Sequence, residues 1–99
     1  STDMTMVLRA IEIEADCILG AKAIDGVYDS DPAVNPNAKK YDELPISKIV
    51  DDRLGVIDLA ASVLAMENKM PMLLFGLNEE DSINKAVSGE KIGTKITVE

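Results

Sequence analysis

The sequence predicts an α/β fold, a three-layer arrangement with a mainly parallel sheet, in one domain spanning residues 1–99. Three observations carry that expectation. Short apolar runs at 16–19, 72–75 and 94–98 alternate with stretches of helical periodicity, as in sheets whose strands are joined through helices. At 99 residues the chain has the size of one small domain, and it shows no internal repeat or low-complexity segment. Apolar residues make up 46% and charged residues 28%, enough core-forming material to order the chain.

Each element follows from local chemistry. Ser1-Thr2-Asp3 offer N-caps, and Met4, Val7, Leu8 and Ile11 recur at helical spacing, which predicts a helix over about 3–14 with Asp3 complementing its dipole. Asp16 to Leu19, closed by Gly20, reads as a buried strand. Turn formers dominate from Gly20 to Lys40. Asp25-Gly26 between Ala23-Ile24 and Val27-Tyr28 predicts a tight turn, and Asp31-Pro32 and Asn35-Pro36 an irregular loop beyond it. Loops of that length in compact domains are usually functional or mobile. Ile46 to Asp52 reads as a short helix. A stronger helix follows, with Val56, Leu59, Ala60, Val63 and Leu64 as its apolar stripe and Asp58 in its first turn. Met72 to Phe75 is a buried strand, Ile83, Ala86 and Val87 mark a helix, Gly89 and Gly93 bracket a loop, and Thr94 to Val98 alternates as a strand. The expected order is α-β-loop-α-α-β-α-β. Ligands of such sheets bind beyond the carboxyl ends of the strands, where the Gly20 to Asn37 loop begins.

Charge and composition narrow the function. Lys and Arg number 10 against 18 Asp and Glu, a formal charge of −8, which speaks against nucleic acid or an anionic membrane as partner. A nucleotide held with a metal ion stays compatible. The chain has no His, which removes Ser-His-Asp and Cys-His catalysis and most zinc sites. Cys17 is the single cysteine, so no internal disulfide forms; it reads as an inert core thiol in a reducing, cytoplasmic compartment. No signal peptide or membrane-spanning run is visible. The chain opens directly at a helix start without Met, and the expectation is that a segment precedes it.

The turn-rich loop concentrates the candidate chemistry. Lys22 offers a point charge for phosphate, Tyr28 a ring that can stack on a base, and Asp31 an acceptor for ribose or base edges. Locally, the same Tyr28 anchors the loop and the aspartates make turns; spacing alone favours that reading, for there is no Walker or GxGxxG signature. Thr2 and Asp3, at a helix amino end, form either an anion site or a plain cap. Asp58 reads as dipole complementation. Asp51-Asp52 and Glu79-Glu80-Asp81 read as solvated or helix-starting acids.

Several separated motifs in order then resemble one family. Asp16-Cys17-Ile18-Leu19, Ile24-Asp25-Gly26-Val27-Tyr28-Asp29-Ser30-Asp31-Pro32, Asn35-Pro36-Asn37-Ala38-Lys39-Lys40-Tyr41, Gly55-Val56-Ile57-Asp58-Leu59-Ala60-Ala61, Phe75-Gly76-Leu77-Asn78 and Gly89-Glu90-Lys91-Ile92-Gly93-Thr94 are similar to the amino acid kinase superfamily, and within it to bacterial-type uridylate (UMP) kinases. The resemblance runs from Ser1 to about Thr97. It implies the carboxy-terminal, ATP-binding half of such a kinase, which converts ATP and UMP to ADP and UDP in pyrimidine nucleotide biosynthesis and is inactive without its other half. It also implies Lys22, Tyr28 and Asp31 as ATP contacts, with Tyr28 against adenine and Asp31 toward ribose. Ser1 and Thr2 then touch UMP, Asp3 and Asp58 stand at the phosphoryl-transfer centre, and Mg²⁺ accompanies ATP. Expected partners are ATP and UMP, and either other copies of the chain or the missing amino-terminal half. Where the family usually has Lys-Ala-Thr-Lys, this chain has Gly20-Ala21-Lys22-Ala23, and Gly76 replaces the usual Asn. These departures motivate the alternative of a non-catalytic relic or oligomerisation module that keeps the fold.

Overall fold

The computed structural model describes residues 2–98. In chain order these form α1 (Thr2–Glu12), β1 (Ile18–Lys22), β2 (Glu43–Pro45), α2 (Ile46–Asp51), α3 (Leu59–Glu67), β3 (Met72–Gly76), α4 (Ser82–Val87) and β4 (Thr94–Thr97). The strands make one sheet in the order β1-β3-β4-β2. β1 and β3 pair in parallel with Ile18 beside Met72, and β2 and β4 pair in parallel with Glu43 beside Lys95. The central pair β3–β4 is antiparallel, with Met72 beside Ile96. The sheet is therefore mostly parallel, as the alternation of elements predicts, with one reversal at its centre.

The pleat sorts the side chains. Ile18, Met72, Leu74 and Ile96 are buried on one face, in a core shared with Val7, Ala10, Ile46, Ile49, Ala61 and Ala65 of α1, α2 and α3. Phe75 and Ala86 are buried outside that core, where α4 packs on β3 and supplies the third layer. Cys17 is exposed, not the core thiol expected, because the strand begins one residue after it and its alternation puts Ile18 inside.

Four local expectations change. β1 starts at Ile18 and runs past Gly20 to Lys22; Gly20 faces inward, and a Cβ there would press on the tip of the Leu74 side chain. Asp25-Gly26 makes no hairpin: Tyr28 bridges instead to Lys40. β2 was not foreseen, being three residues long and ending in Pro45. α3 begins at Leu59, leaves Leu59 and Ala60 exposed and buries Ala61, Ser62 and Ala65, so Asp58 is its N-cap residue and not part of its first turn. Small residues on that face let α1 and α2 approach closely. Gly93 is the one glycine the sheet cannot exchange: its φ is +65°, and a Cβ there would collide with the Leu74 carbonyl.

Candidate functional site

Two polar arrangements stand at the end of the sheet where β1 leaves Lys22. The first is a corner built on Asp3, in the first turn of α1. Its Oδ1 accepts a hydrogen bond from Lys22 Nζ at 2.7 Å, and its Oδ2 accepts one from the Asp58 backbone N–H at 3.0 Å. One carboxylate thus joins the start of α1, the end of β1 and the start of α3. The Asp3 and Lys22 side chains are 18% and 25% exposed, so water reaches the pair without dissolving it. The Lys22 hydrogen bond holds the Asp3 carboxyl below its ordinary value; partial burial opposes this, and the Asp58 N–H adds to the lowering. Asp3 is neither a bare dipole partner nor a simple cap, since both its oxygens bond outside its own helix. Thr2 is exposed beside it, and Ser1 lies outside the described residues.

The second arrangement is the loop after β1. Its neck is closed by Tyr41 N–H donating to the Val27 carbonyl at 2.8 Å and by Thr94, whose Oγ1 accepts the Val27 N–H at 2.9 Å and donates to the Tyr41 carbonyl. Beyond the neck the bonds are local. Tyr28 donates its hydroxyl to Asp25 Oδ1 at 2.7 Å, and Lys40 Nζ lies 3.8 Å from Asp25 Oδ2. The Asp25 hydrogen bond, with partial desolvation and nearby negative charge, raises the Tyr28 hydroxyl above its ordinary pKa. Asp31 Oδ1 accepts the Ala33 N–H at 2.9 Å, the turn-making role its sequence context suggests.

Tyr28 and Asp31 nevertheless face open space. They line a cleft of about 410 Å³ with Ile24, Pro32 and the segment 53–56. Arg53, Leu54 and Gly55 line this cleft and also a smaller one, of about 210 Å³, that contains Asp58. The structure therefore groups the six described candidates into two neighbouring sets. Thr2, Asp3, Lys22 and Asp58 stand at the corner, Tyr28 and Asp31 in the cleft, and the 53–55 turn runs between. Lys22 belongs to the corner and not to the Tyr28 cleft. Asp25 and Thr94 were missed as site residues: Asp25 reads as half of an Asp-Gly turn, and nothing near Thr94 in sequence points to a loop more than fifty positions earlier. A further cleft of about 520 Å³ lies elsewhere, between β1, β3 and the 89–93 loop, and holds none of these residues.

The donor set bears on a divalent cation. No group of three or more His, Cys, Asp or Glu among the described residues is placed to hold a metal ion. Both Asp3 oxygens already accept hydrogen bonds, whereas Asp58 is exposed.

Comparison with known proteins adds three findings. The model of the amino acid kinase family matches residues 1–76. A uridylate kinase of Pediococcus pentosaceus is 50% identical over 97 residues, which is 97% of this chain and 40% of that protein. The UMP kinase of Bacillus anthracis superposes with a TM-score of 0.93 at 38% identity, over 100% of this chain and 41% of its own; that of Ureaplasma parvum gives 0.87 at 34%, over 98% and 42%. The chain thus spans about two fifths of the length of these relatives. Among the described residues, no helix is long and apolar enough to cross a membrane.

Proposed function

This chain belongs to the amino acid kinase family, and from that premise we propose that it supplies the ATP-binding part of a UMP kinase. The reaction is transfer of the ATP γ-phosphoryl group to UMP, giving ADP and UDP. One observation carries the reading: an aromatic ring and a carboxylate share a cleft whose far wall, the 53–55 turn, also borders the Asp58 cleft. That is the order of groups along a nucleoside triphosphate: base, ribose, phosphates.

In this reading Tyr28 stacks on adenine and Asp31 accepts from the ribose. Lys22 meets phosphate oxygens with an ammonium already aimed by Asp3. Transfer of a phosphoryl group asks the protein for alignment and charge neutralisation more than for covalent chemistry, which suits a chain without histidine. Mg²⁺, bound to the phosphates, would neutralise their charge, and Asp58 is the residue here that would face it. Thr2, with Ser1, borders UMP. Asp3, next to Thr2 in α1, bonds both Lys22 and the Asp58 N–H and so ties the phosphate-facing groups together. The relatives carry more than half their length outside the matched part, and catalysis is assigned to the two parts together, this chain alone binding ATP without turning it over.

Thermal denaturation with and without MgATP tests this. The melting temperature should rise with MgATP, and Tyr28→Ala should weaken the effect by the ~1–3 kcal/mol of a lost stacking contact. Asp31→Ala should weaken it further in combination. No rise at millimolar MgATP overturns the nucleotide site. Steady UMP-dependent ADP release by the chain alone overturns the assignment of catalysis to both parts.

A further inference from the structure

Two of the cations of the loop that carries Tyr28 and Asp31 are already paired with carboxylates. Lys22 is bonded to Asp3 at 2.7 Å, and Lys40 faces Asp25 at 3.8 Å. Among the residues lining the Tyr28 cleft there is one cation, Arg53, and one carboxylate, Asp31. No hydrogen bond or ion pair among the described residues uses the Arg53 guanidinium. It is exposed, and it lines the Asp58 cleft as well.

Its backbone position is set by the end of α2, which closes as α1 and α3 do at Glu14 and Lys69. α2 ends with Leu54 N–H donating to the Ile49 carbonyl at 3.1 Å and Arg53 N–H donating to the Val50 carbonyl at 3.3 Å, a paired closure of the helix end. Arg53 takes the left-handed position of that closure, with φ 51°, where glycine is the favoured residue. The turn thus places a long cationic side chain at the edge of both clefts.

We infer that Arg53 is the phosphate-binding cation of the Tyr28 cleft, the residue that makes it select a nucleoside polyphosphate over the bare nucleoside. The inference rests on the nucleotide reading above. The argument is one of position and supply. A ligand stacked on Tyr28 and bonded to Asp31 must run its anionic tail along the 53–55 turn to reach the Asp58 cleft, and Arg53 is the uncommitted positive charge on that path. Its planar fork of donors suits phosphate oxygens and bonds them with charge assistance.

Calorimetric titration of the full chain with MgATP and with adenosine tests this at fixed low salt. Wild type should bind MgATP at least about ten-fold more tightly than adenosine, the change expected for one charge-assisted hydrogen bond. Arg53→Gln should narrow that gap several-fold while leaving adenosine affinity unchanged, and Arg53→Lys should restore part of it. Arg53→Gly guards against misfolding, because glycine suits the backbone there: it should keep or raise the melting temperature and still narrow the gap. Unchanged discrimination in Arg53→Gln, or equal wild-type affinity for the two ligands, overturns the role of Arg53 and leaves the nucleoside site standing. Binding of neither ligand overturns the nucleotide site itself and the inference with it.

Discussion

The Asp3 corner and the Tyr28 loop lie side by side, but they are held in different ways. At the corner, Asp3 bonds to groups 19 and 55 positions away, so three elements meet on one side chain. In the loop, Tyr28, Asp29, Asp31 and Asn35 bond within ten positions of themselves, and only the neck reaches the rest of the fold. Changes at the corner are therefore felt by the whole domain, while changes at the loop tip are felt by whatever occupies the cleft. The corner is thus tied to distant elements, whereas the loop tip is tied mainly to itself.

The largest expected effect attacks that division at the neck, where the loop borrows long-range support. Thr94 is fully buried, and Thr94→Val leaves the Val27 N–H without its acceptor. Denaturation in urea should show a loss of about 2–3 kcal/mol, with Thr94→Ser recovering most of it. A loss below about 0.5 kcal/mol would mean that the loop closes without its neck and that the two regions differ less than the geometry says.

Next in size is Asp3→Asn, which removes the charge but keeps an acceptor for the Asp58 N–H. It should cost about 1–2 kcal/mol at neutral pH. The fold lowers the Asp3 pKa from the ordinary 3.8, so the native state favours the carboxylate. Its stabilisation is complete above that value and is lost as pH falls through the lower native one. Wild type should accordingly lose stability more steeply than Asp3→Asn in that acid window, as followed by melting temperature. Parallel profiles would show that the corner is not held by its charge.

The smallest effect sharpens the loop side. In a Tyr41→Phe background, near-ultraviolet absorbance reports Tyr28 alone, and its midpoint should lie above the ordinary 10.0. A raised tyrosine pKa means the fold favours the neutral phenol, so this contribution is present below pH 10 and fades as pH rises through the native value. Asp25→Asn should bring the midpoint back toward 10.0, with little change in melting temperature at neutral pH. A midpoint that stays high in Asp25→Asn would shift the cause from Asp25 to burial.

Much of the frame is legible in the sequence because it is periodic. Met72 to Phe75 and the alternation at Thr94 to Thr97 announce strands whatever surrounds them. The α3 face escapes that logic, since its buried residues Ala61, Ser62 and Ala65 are small and carry little hydrophobic signal, while the larger Leu59 faces water. β2 escapes it too: Glu43-Leu44-Pro45 becomes a strand only because β4 offers an edge. The candidate site divides in the same way. Tyr28 and Asp31 are visible as unusual residues in an unusual loop. The Asp3–Lys22 pair, 19 positions apart, the Thr94 neck, 53 and 67 positions apart, and the packing of the 53–55 turn beside the Tyr28 loop depend on the tertiary fold, which no local pattern encodes.

The position of β4 also has a consequence for the order of assembly. β4 follows β1, β2 and β3 in sequence, yet it occupies an inner place in the sheet, between β3 and β2, and its first residue is the Thr94 that clasps the neck. During synthesis, every motif of the loop leaves the ribosome long before the strand that closes it. Until that strand inserts, β2 has no neighbour in the sheet and the loop no clasp. Closure is thus a late, non-local event, of the kind that slows folding. The loop neck is therefore closed only once the last strand is in place.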